Sequence, residues 1–289
     1  MHIQLESKDV QYLQSLMAEA RQPQPFQWQA WYLRGMDEPL GVLSLERAEA
    51  LARAMPQHMP LVQSVQGWVW HADACSNSER SQVLQNIAQD LHKKGEITGW
   101  RDETYACWGW LDSAWPYARP ELFRLERAAF RYFGLRSHAA HVHGITSDGR
   151  MWCGRRSMNK ATDPGLLDNL AAGGLPSGEQ PQACAVREVF EEAGLTIGVD
   201  SFSAQAFQIL TERAVGEGWH SESLFVYKLH VSNQVQPVNR DGEVSEFLCL
   251  NWPEVIQRIR QKEFTADAAC AIAAWALRGD IFKAVPHTS

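Results

Sequence analysis

Apolar residues recur every three or four positions in parts of the first half of the chain, and this spacing predicts amphipathic helices. Val10, Leu13 and Leu16 indicate a helix within residues 1–20. The stretch 45–55 combines apolar and charged positions in a similar way and predicts a second helix.

A third helix is marked at both of its ends. Ser76 and Glu79 match a capping box, and Gly95 follows the last apolar position of the stripe. Two shorter runs, 26–33 and 65–71, are rich in aromatic residues and favour strands. The first half is therefore expected to mix helices and strands.

A domain boundary is predicted near residue 135. Apolar residues at helical spacing over 122–133 predict a fourth helix, and Gly134 lies just beyond its end. The pattern changes after this point. We therefore expect residues 1–135 to form a small α+β accessory domain and residues 136–289 to form a second domain.

The second half mixes strands and helices in a way that is typical of an α/β sandwich. The segment Ser147–Arg150 is a hairpin signal between the runs 138–146 and 151–157. A loop rich in Pro and Gly continues to residue 179. The remaining predicted elements are a helix at 181–193, strands at 204–211, 222–231 and 243–250, and helices at 253–262 and 265–278.

Composition and charge exclude several classes of protein. The 289 residues are 45% hydrophobic and 21% charged, as in an ordinary folded protein. The net charge of −7 argues against a nucleic-acid partner, because no basic run compensates for it. No apolar run of about 18 residues predicts a membrane span, and we identify no secretory signal. Six separate cysteines agree with a reducing environment, so we expect a cytoplasmic protein.

The predicted helix 181–193 carries three glutamates on one face. Glu188, Glu191 and Glu192 stand at i, i+3 and i+4, and like charges at this spacing repel each other. A hard divalent cation, which prefers oxygen ligands, is one way to relieve the repulsion. The glycine-rich loop 173–179 has the backbone freedom to bring further oxygens near the ion. For the three glutamates alone, a solvated acidic face is the alternative.

The spacing around these glutamates is far more specific than the glutamates themselves. The segment 173–195 satisfies G-x5-E-x7-R-E-U-x-E-E-x-G-U, with U a bulky aliphatic residue, at every fixed position. Average residue frequencies give a chance match of roughly one in ten million for a chain of this length. This pattern is the Nudix box, and the segment resembles the Nudix hydrolase family. The resemblance implies a Nudix α/β/α sandwich that cleaves a small-molecule diphosphate with Mg²⁺ or Mn²⁺.

The resemblance also implies roles for individual residues. Glu188 and Glu192 resemble the main metal ligands of the family, and Glu191 resembles a further ligand or a contact to the reacting water. Arg187 resembles the arginine that orients the box glutamates through ion pairs. We therefore count Arg187, Glu191 and Glu192 among the catalytic candidates.

Further candidates lie on either side of the helix. Glu179 resembles the auxiliary acid at the junction of loop and helix, and the carbonyl of Ala172 falls where the family often supplies a backbone metal ligand. Nudix enzymes often take a general base or an extra ligand from a late segment, and Glu243 and Glu246 fit this description. Glu222 is a similar but weaker candidate. A solvated edge position is the alternative for these late residues.

Three cations precede the box. Arg155, Arg156 and Lys160 could neutralise the phosphates of a substrate, and surface charge is the alternative interpretation. A net-acidic protein that binds a diphosphate needs cations somewhere in its site. We therefore expect these three residues to bind substrate.

Segments outside the box narrow the resemblance to the subgroup related to thiamine pyrophosphokinase, in which an accessory N-terminal domain precedes the Nudix domain. These segments are Gly99–Tyr105, Lys160, Thr162–Gly165, Leu167–Asn169, Ala172–Gly174 and Asp241–Val244. The subgroup implies cleavage of thiamine diphosphate, or of a damaged oxidised analogue, to the monophosphate and phosphate. The alternatives are a pyrophosphatase for ADP-ribose-like or other nucleoside diphosphate derivatives and a non-catalytic Nudix-fold sensor. The oligomeric state stays open, with a homodimer as one option.

Overall fold

A helix and a small four-stranded sheet begin the fold. The computed structural model describes residues 5–110, 119–202, 206–216 and 218–278. The first elements are α1 (Ser7–Glu19), β1 (Trp28–Leu33), β2 (Gly41–Ser44), α2 (Leu45–Ala54), β3 (Leu61–Ser64), β4 (Gly67–Trp70) and α3 (Asn77–Lys93). The strand order is β2-β1-β4-β3, with β1 antiparallel to β2 and parallel to β4. The strands β2 and β3 were not predicted.

The third helix confirms the predicted capping box. The Ser76 side chain accepts a hydrogen bond from the Glu79 backbone N–H, and the Glu79 carboxylate accepts one from the Ser76 N–H. Behind α3 an aromatic core closes the small domain, with Trp31, Trp70 and Phe123 all buried. This core agrees with the expected α+β accessory domain.

The helix predicted over 122–133 is wrong in its first half. Residues Phe123–Glu126 form β6, which pairs antiparallel with β5 (Thr104–Cys107), and only Ala129–Tyr132 form a short helix, α4. Phe123 and Leu125 are buried on either side of the exposed Arg124, so this part of the apolar pattern has the period of a strand. The apolar residues of β6 and those of α4 together happen to have the spacing of one helix.

The second half contains a seven-stranded sheet. Its strands are β7 (Arg136–Thr146), β8 (Met151–Arg156), β9 (Leu167–Asp168), β10 (Ala171–Gly174), β11 (Phe207–Val215), β12 (Gly218–Val231) and β13 (Val244–Leu250). The main order is β11-β12-β7-β8-β13, with β10 paired to β7 and β9 paired to β8. The strands β9 and β10 lie within the predicted loop.

Helices cover both faces of this sheet, which confirms the α/β/α sandwich. Helix α5 (Pro181–Ala193) packs on one face, and α6 (Trp252–Arg260) and α7 (Ala266–Leu277) pack on the other. Helix α1 contacts α7, and its Leu13 is fully buried there, although α1 precedes the small domain in sequence. The predicted boundary at 135 stays a prediction.

The sheet divides in its middle. Strand β7 pairs with β10 through residues 139–142 but with β8 only through Gly144 and Ile145. Beyond these two residues β8 pairs with β9 instead, through Gly154 and Arg155. Asn169 and Leu170, which join β9 to β10, are both buried and bond to β8 and β7 across the fork.

Several predicted elements and both predicted domains extend past the part of the chain that the structure covers. Residues 1–4, 111–118, 203–205, 217 and 279–289 lie outside the described residues. Within the described ranges, no helix has the length and apolar character that crossing a membrane requires.

Candidate active site

Helix α5 presents the predicted glutamates beside strand β10. The helix begins at Pro181, which has no backbone N–H and so leaves no donor unpaired in the first turn. It ends before Gly194, whose φ of +68° suits a glycine. Glu188 is 8% exposed and Glu192 is 5% exposed, because their side of the helix packs on the sheet. These two carboxylates are therefore buried beside each other, as a metal site would require.

Arg187 holds three carboxylates together. Its Nη1 donates to Glu188 Oε1 at 2.6 Å and to Glu191 Oε2 at 2.9 Å. Its Nε and Nη2 donate to the two carboxylate oxygens of Glu179 at 2.9 and 2.8 Å. The structure thus brings together Arg187 and three of the acids that the box pattern predicted.

Burial makes the two inner carboxylates costly to ionise. Burial raises the pKa of Glu188 to about 7, although the charge and hydrogen bond of Arg187 act in the opposite direction. Burial also raises the pKa of Glu192 well above its usual range, and the charge of Glu188 adds to this effect. A divalent cation would offset both penalties, so the donor set fits a hard metal ion.

The backbone of β10 is shaped to fit these carboxylates. The Ala172 N–H donates to Glu192 Oε2 at 2.9 Å. A Cβ at position 173 would stand 1.9 Å from Glu188 Oε1, so only glycine admits the carboxylate there. Glu188, Glu191 and Ala172 line the cleft, while Glu192 lies just beneath its surface.

Two of the three predicted substrate-binding cations lie in the cleft. Lys160 forms an ion pair with Glu243, and both residues line the cleft. Arg156 also lines it and donates to Asp168 at 3.1 Å. The structure therefore brings the late acid, Glu243, to the predicted cations.

Arg155 lies apart from them. Neighbouring residues of a strand point to opposite faces, so Arg155 and Arg156 diverge at the end of β8. The Arg155 guanidinium donates to Glu246 on β13 and to the Gly165 carbonyl, and it does not line the cleft. Glu246 is likewise placed away from the box helix.

Residues of the small domain form one wall of the cleft, which has a volume of about 310 Å³. Arg101, Tyr105 and Arg127 line it together with Glu188. No function was predicted for Tyr105 or Arg127 from the sequence. For this side of the cleft, the sequence offered the subgroup resemblance over Gly99–Tyr105.

The small domain also contacts the glycine-rich loop directly. The Thr104 carbonyl accepts a hydrogen bond from the Ser177 N–H at 2.8 Å. A Cβ at position 174 would stand 1.7 Å from the Tyr105 hydroxyl oxygen, so the tyrosine packs against bare backbone. The two adjacent glycines therefore have separate tasks: Gly173 admits Glu188, and Gly174 admits Tyr105.

A second cluster of ligand-type side chains contains Glu222, the weaker late candidate, which lines the cleft; its other two members were not predicted. Among the described residues, His220, Glu222 and Asp267 form a group whose ligand atoms lie within 4.8 Å of one another. Arg213 already donates to both oxygens of Asp267 at 2.8 and 2.9 Å. These bonds hold the pKa of Asp267 well below its usual range, although burial acts to raise it. Arg213 therefore compensates the charge of Asp267, as Arg187 does for Glu188 on α5.

Two family models match parts of the chain. Residues 135–272 match the family model described as NUDIX domain, and residues 62–137 match one described as a domain of unknown function, DUF4743. Nudix hydrolase 24, chloroplastic, of Arabidopsis thaliana is 33% identical over 67% of this chain and 52% of its own length. Nudix hydrolase 20, chloroplastic, from the same plant is 32% identical over 64% of this chain and 49% of its own length.

This chain spans about half the length of those two relatives. Among solved structures, a Deinococcus radiodurans protein is similar over 48% of this chain and 81% of that one, with 23% identity and a TM-score of 0.38.

The contact between Tyr105 and Gly174 predicts a measurable coupling. Gly174→Ala should lower the free energy of unfolding by about 1–3 kcal/mol, because the new methyl group collides with the tyrosine. Tyr105→Phe in the same protein should recover part of this loss, since it removes the nearest atom. A double-mutant cycle by urea denaturation measures the coupling. Gly198→Ala, which meets no atom within 4 Å, is the matched control, and purely additive effects would show that the contact is absent.

The raised pKa of Glu188 predicts a pH-dependent stability of the metal-free protein. Between pH 4.5, the usual value, and about 7, the native protein binds a proton at Glu188 that the unfolded chain releases. The free energy of unfolding contributed by this group therefore falls as the pH rises through that window.

Thermal unfolding in a chelator should show this loss relative to Glu188→Gln, which cannot ionise. The exposed Glu49→Gln on α2 serves as the control and should follow the wild type. A difference between wild type and Glu188→Gln that stays constant from pH 4.5 to 7 would rule out the buried, ionisable carboxylate.

Proposed function

Because residues 135–272 match the NUDIX domain model, we propose that the protein is a hydrolase that cleaves a diphosphate linkage with Mg²⁺ or Mn²⁺. The observation that carries this proposal is the pair of buried carboxylates, Glu188 and Glu192, held beside Arg187 on one helix. Buried acids of this kind are unfavourable in a purely structural helix and are common in catalytic sites.

The residues that would hold the ion are those beside strand β10. Glu188, Glu192 and the Ala172 carbonyl are the proposed ligands, and Glu191 and Glu179 are further acids within the reach of Arg187. When bound, a divalent cation supplies positive charge to the diphosphate oxygens and lowers the pKa of a coordinated water. Arg187 fixes the carboxylates in place before a ligand arrives, which reduces the cost of assembling the site.

Residues on the opposite side of the cleft are proposed to bind phosphate and to accept a proton. Lys160 and Arg156 lie where they can exchange a carboxylate partner for a phosphate oxygen. Burial acts to raise the pKa of Glu243, but the hydrogen bond and charge of Lys160, with the charges of Arg156 and Arg101, lower it. Glu243 is therefore ionised at neutral pH, and we propose it as an acceptor for the proton of the attacking water.

We propose thiamine diphosphate, or a damaged oxidised analogue, as the substrate. What supports this choice is the convergence of the segments that resemble the thiamine pyrophosphokinase-related subgroup. These segments are distant in sequence, yet each contributes to the lining of the one cleft: Arg101, Glu103 and Tyr105; Lys160; Thr162 and Asp163; Asp168; Ala172, Gly173 and Gly174; and Asp241 and Glu243. Residues that recur together in a subgroup and meet at one cleft are expected to select its substrate.

A panel of diphosphates tests the substrate. With Mg²⁺, we expect release of inorganic phosphate from thiamine diphosphate or its oxidised analogues, measured by a phosphate assay. Cleavage of ADP-ribose alone, with no phosphate released from any thiamine compound, would contradict the substrate and retain the diphosphatase. Binding without turnover of any diphosphate would instead indicate a sensor.

Replacing a proposed ligand tests the hydrolase itself. Loss of an outer partner of a metal typically costs about 10–100-fold, so Glu192→Gln should reduce turnover by at least about a hundredfold and weaken its dependence on Mg²⁺. Steady-state rates over a Mg²⁺ titration measure both effects. The exposed Glu49→Gln on α2 should behave like the wild type. Full activity in Glu192→Gln would contradict the assignment.

A further inference from the structure

The small domain contributes positive charge to the cleft, although most residues that line the cleft lie in the region that matches the NUDIX domain model. Arg101, Arg127 and Arg131 all line the cleft. Arg127 is already engaged, because its Nη1 donates to Glu103 at 2.5 Å. No ion pair is formed by Arg101 within the part of the chain that the structure describes.

The backbone of Arg101 is fixed, although its side chain is exposed. Its N–H donates to Glu126 Oε1 at 3.1 Å, and Glu126 is only 1% exposed. The same oxygen accepts the Ala128 N–H at 3.3 Å, which ties the loop to the end of β6. The next residue, Asp102, turns the chain with a φ of +57°. The guanidinium is thus carried into the cleft from a rigid base.

Arg101 acts on the same group as the predicted substrate-binding cations. Its charge, with those of Lys160 and Arg156, contributes to the low pKa of Glu243. Lys160 and Arg156 each have a carboxylate partner, so Arg101 differs from them in having its charge available. An uncompensated arginine beside a cleft suited to an anion is well placed to bind that anion.

We propose that Arg101 is a substrate-binding residue, through which the small domain binds the anionic diphosphate in the Nudix cleft. This inference rests on the proposed function, because it assumes an anionic ligand in that cleft. The wall that carries Arg101 is held against the box loop by the Thr104–Ser177 hydrogen bond and by Tyr105 on Gly174. Arg101 therefore keeps its position relative to the metal-binding helix.

Kinetics of the full chain test the proposal. A charge-assisted hydrogen bond is worth about tenfold or more in binding, so Arg101→Ala should raise KM for the preferred diphosphate by roughly that factor. The value of kcat should stay within about twofold, because the metal-binding helix and the Lys160–Glu243 ion pair are unchanged. Arg101→Lys should recover part of the loss, since it keeps the charge and loses the planar fork. An unchanged KM, or a fall in kcat alone, would overturn the proposal.

A matched control and a binding arm separate this inference from the proposed function. Arg53→Ala removes an arginine on α2, 71% exposed and outside the cleft, and should change neither constant. Calorimetry with methylenediphosphonate and Mg²⁺ requires no turnover, and Arg101→Ala should weaken its binding about tenfold. If the wild type binds this probe without hydrolysing any diphosphate, the hydrolase fails and Arg101 is still tested. Equal affinity in both proteins, or no binding at all, would overturn the role of Arg101.

Discussion

Two carboxylates buried side by side on one helix are the constraint on which the rest of the site depends. Glu188 and Glu192 cannot both be ionised in this environment without nearby positive charge. Arg187 provides some of it, but its guanidinium is shared among Glu179, Glu188 and Glu191. The neighbouring strand supplies an N–H to Glu192 and a glycine that makes room for Glu188. These features lower the stability of a site without a metal, and a bound divalent cation would account for all of them.

The sheet and the small domain together form a cleft beside this helix. Residues of β8, β9 and β10 line it with α5. The small domain lines another side of the cleft and holds the glycine-rich loop through its strand β5. Its role is therefore architectural as well as electrostatic, because the same segment carries Tyr105 and Arg101.

Local patterns predicted the parts of this fold that depend on local chemistry. The capping box at Ser76 and the extent of the helix 181–193 were predicted from the sequence, because helix ends are built from neighbouring residues. The strands β9 and β10 were missed, since two and four residues are too short to show a period. The helix predicted over 122–133 was wrong in its first half, because Phe123 and Leu125 follow the two-residue period of a strand.

In the site, too, the residues predicted from the sequence are those whose geometry is set by local spacing. The box predicted the carboxylates and Arg187, because their spacing on one helix sets their geometry. Asp267 and Tyr105 reach the cleft through long-range packing, which no single-sequence pattern contains. Arg155 and Arg156 look equivalent in sequence, yet adjacent strand residues face opposite sides. That rule could have separated them once β8 was known to reach the cleft.

The most direct test of the central claim is a crystal structure of the protein with Mn²⁺, located by its anomalous scattering. Manganese should be bound by Glu188 and Glu192 beside the backbone of Ala172, with the Arg187 contact to Glu188 rearranged. Manganese found only at His220, Glu222 and Asp267, or none at either position, would contradict it.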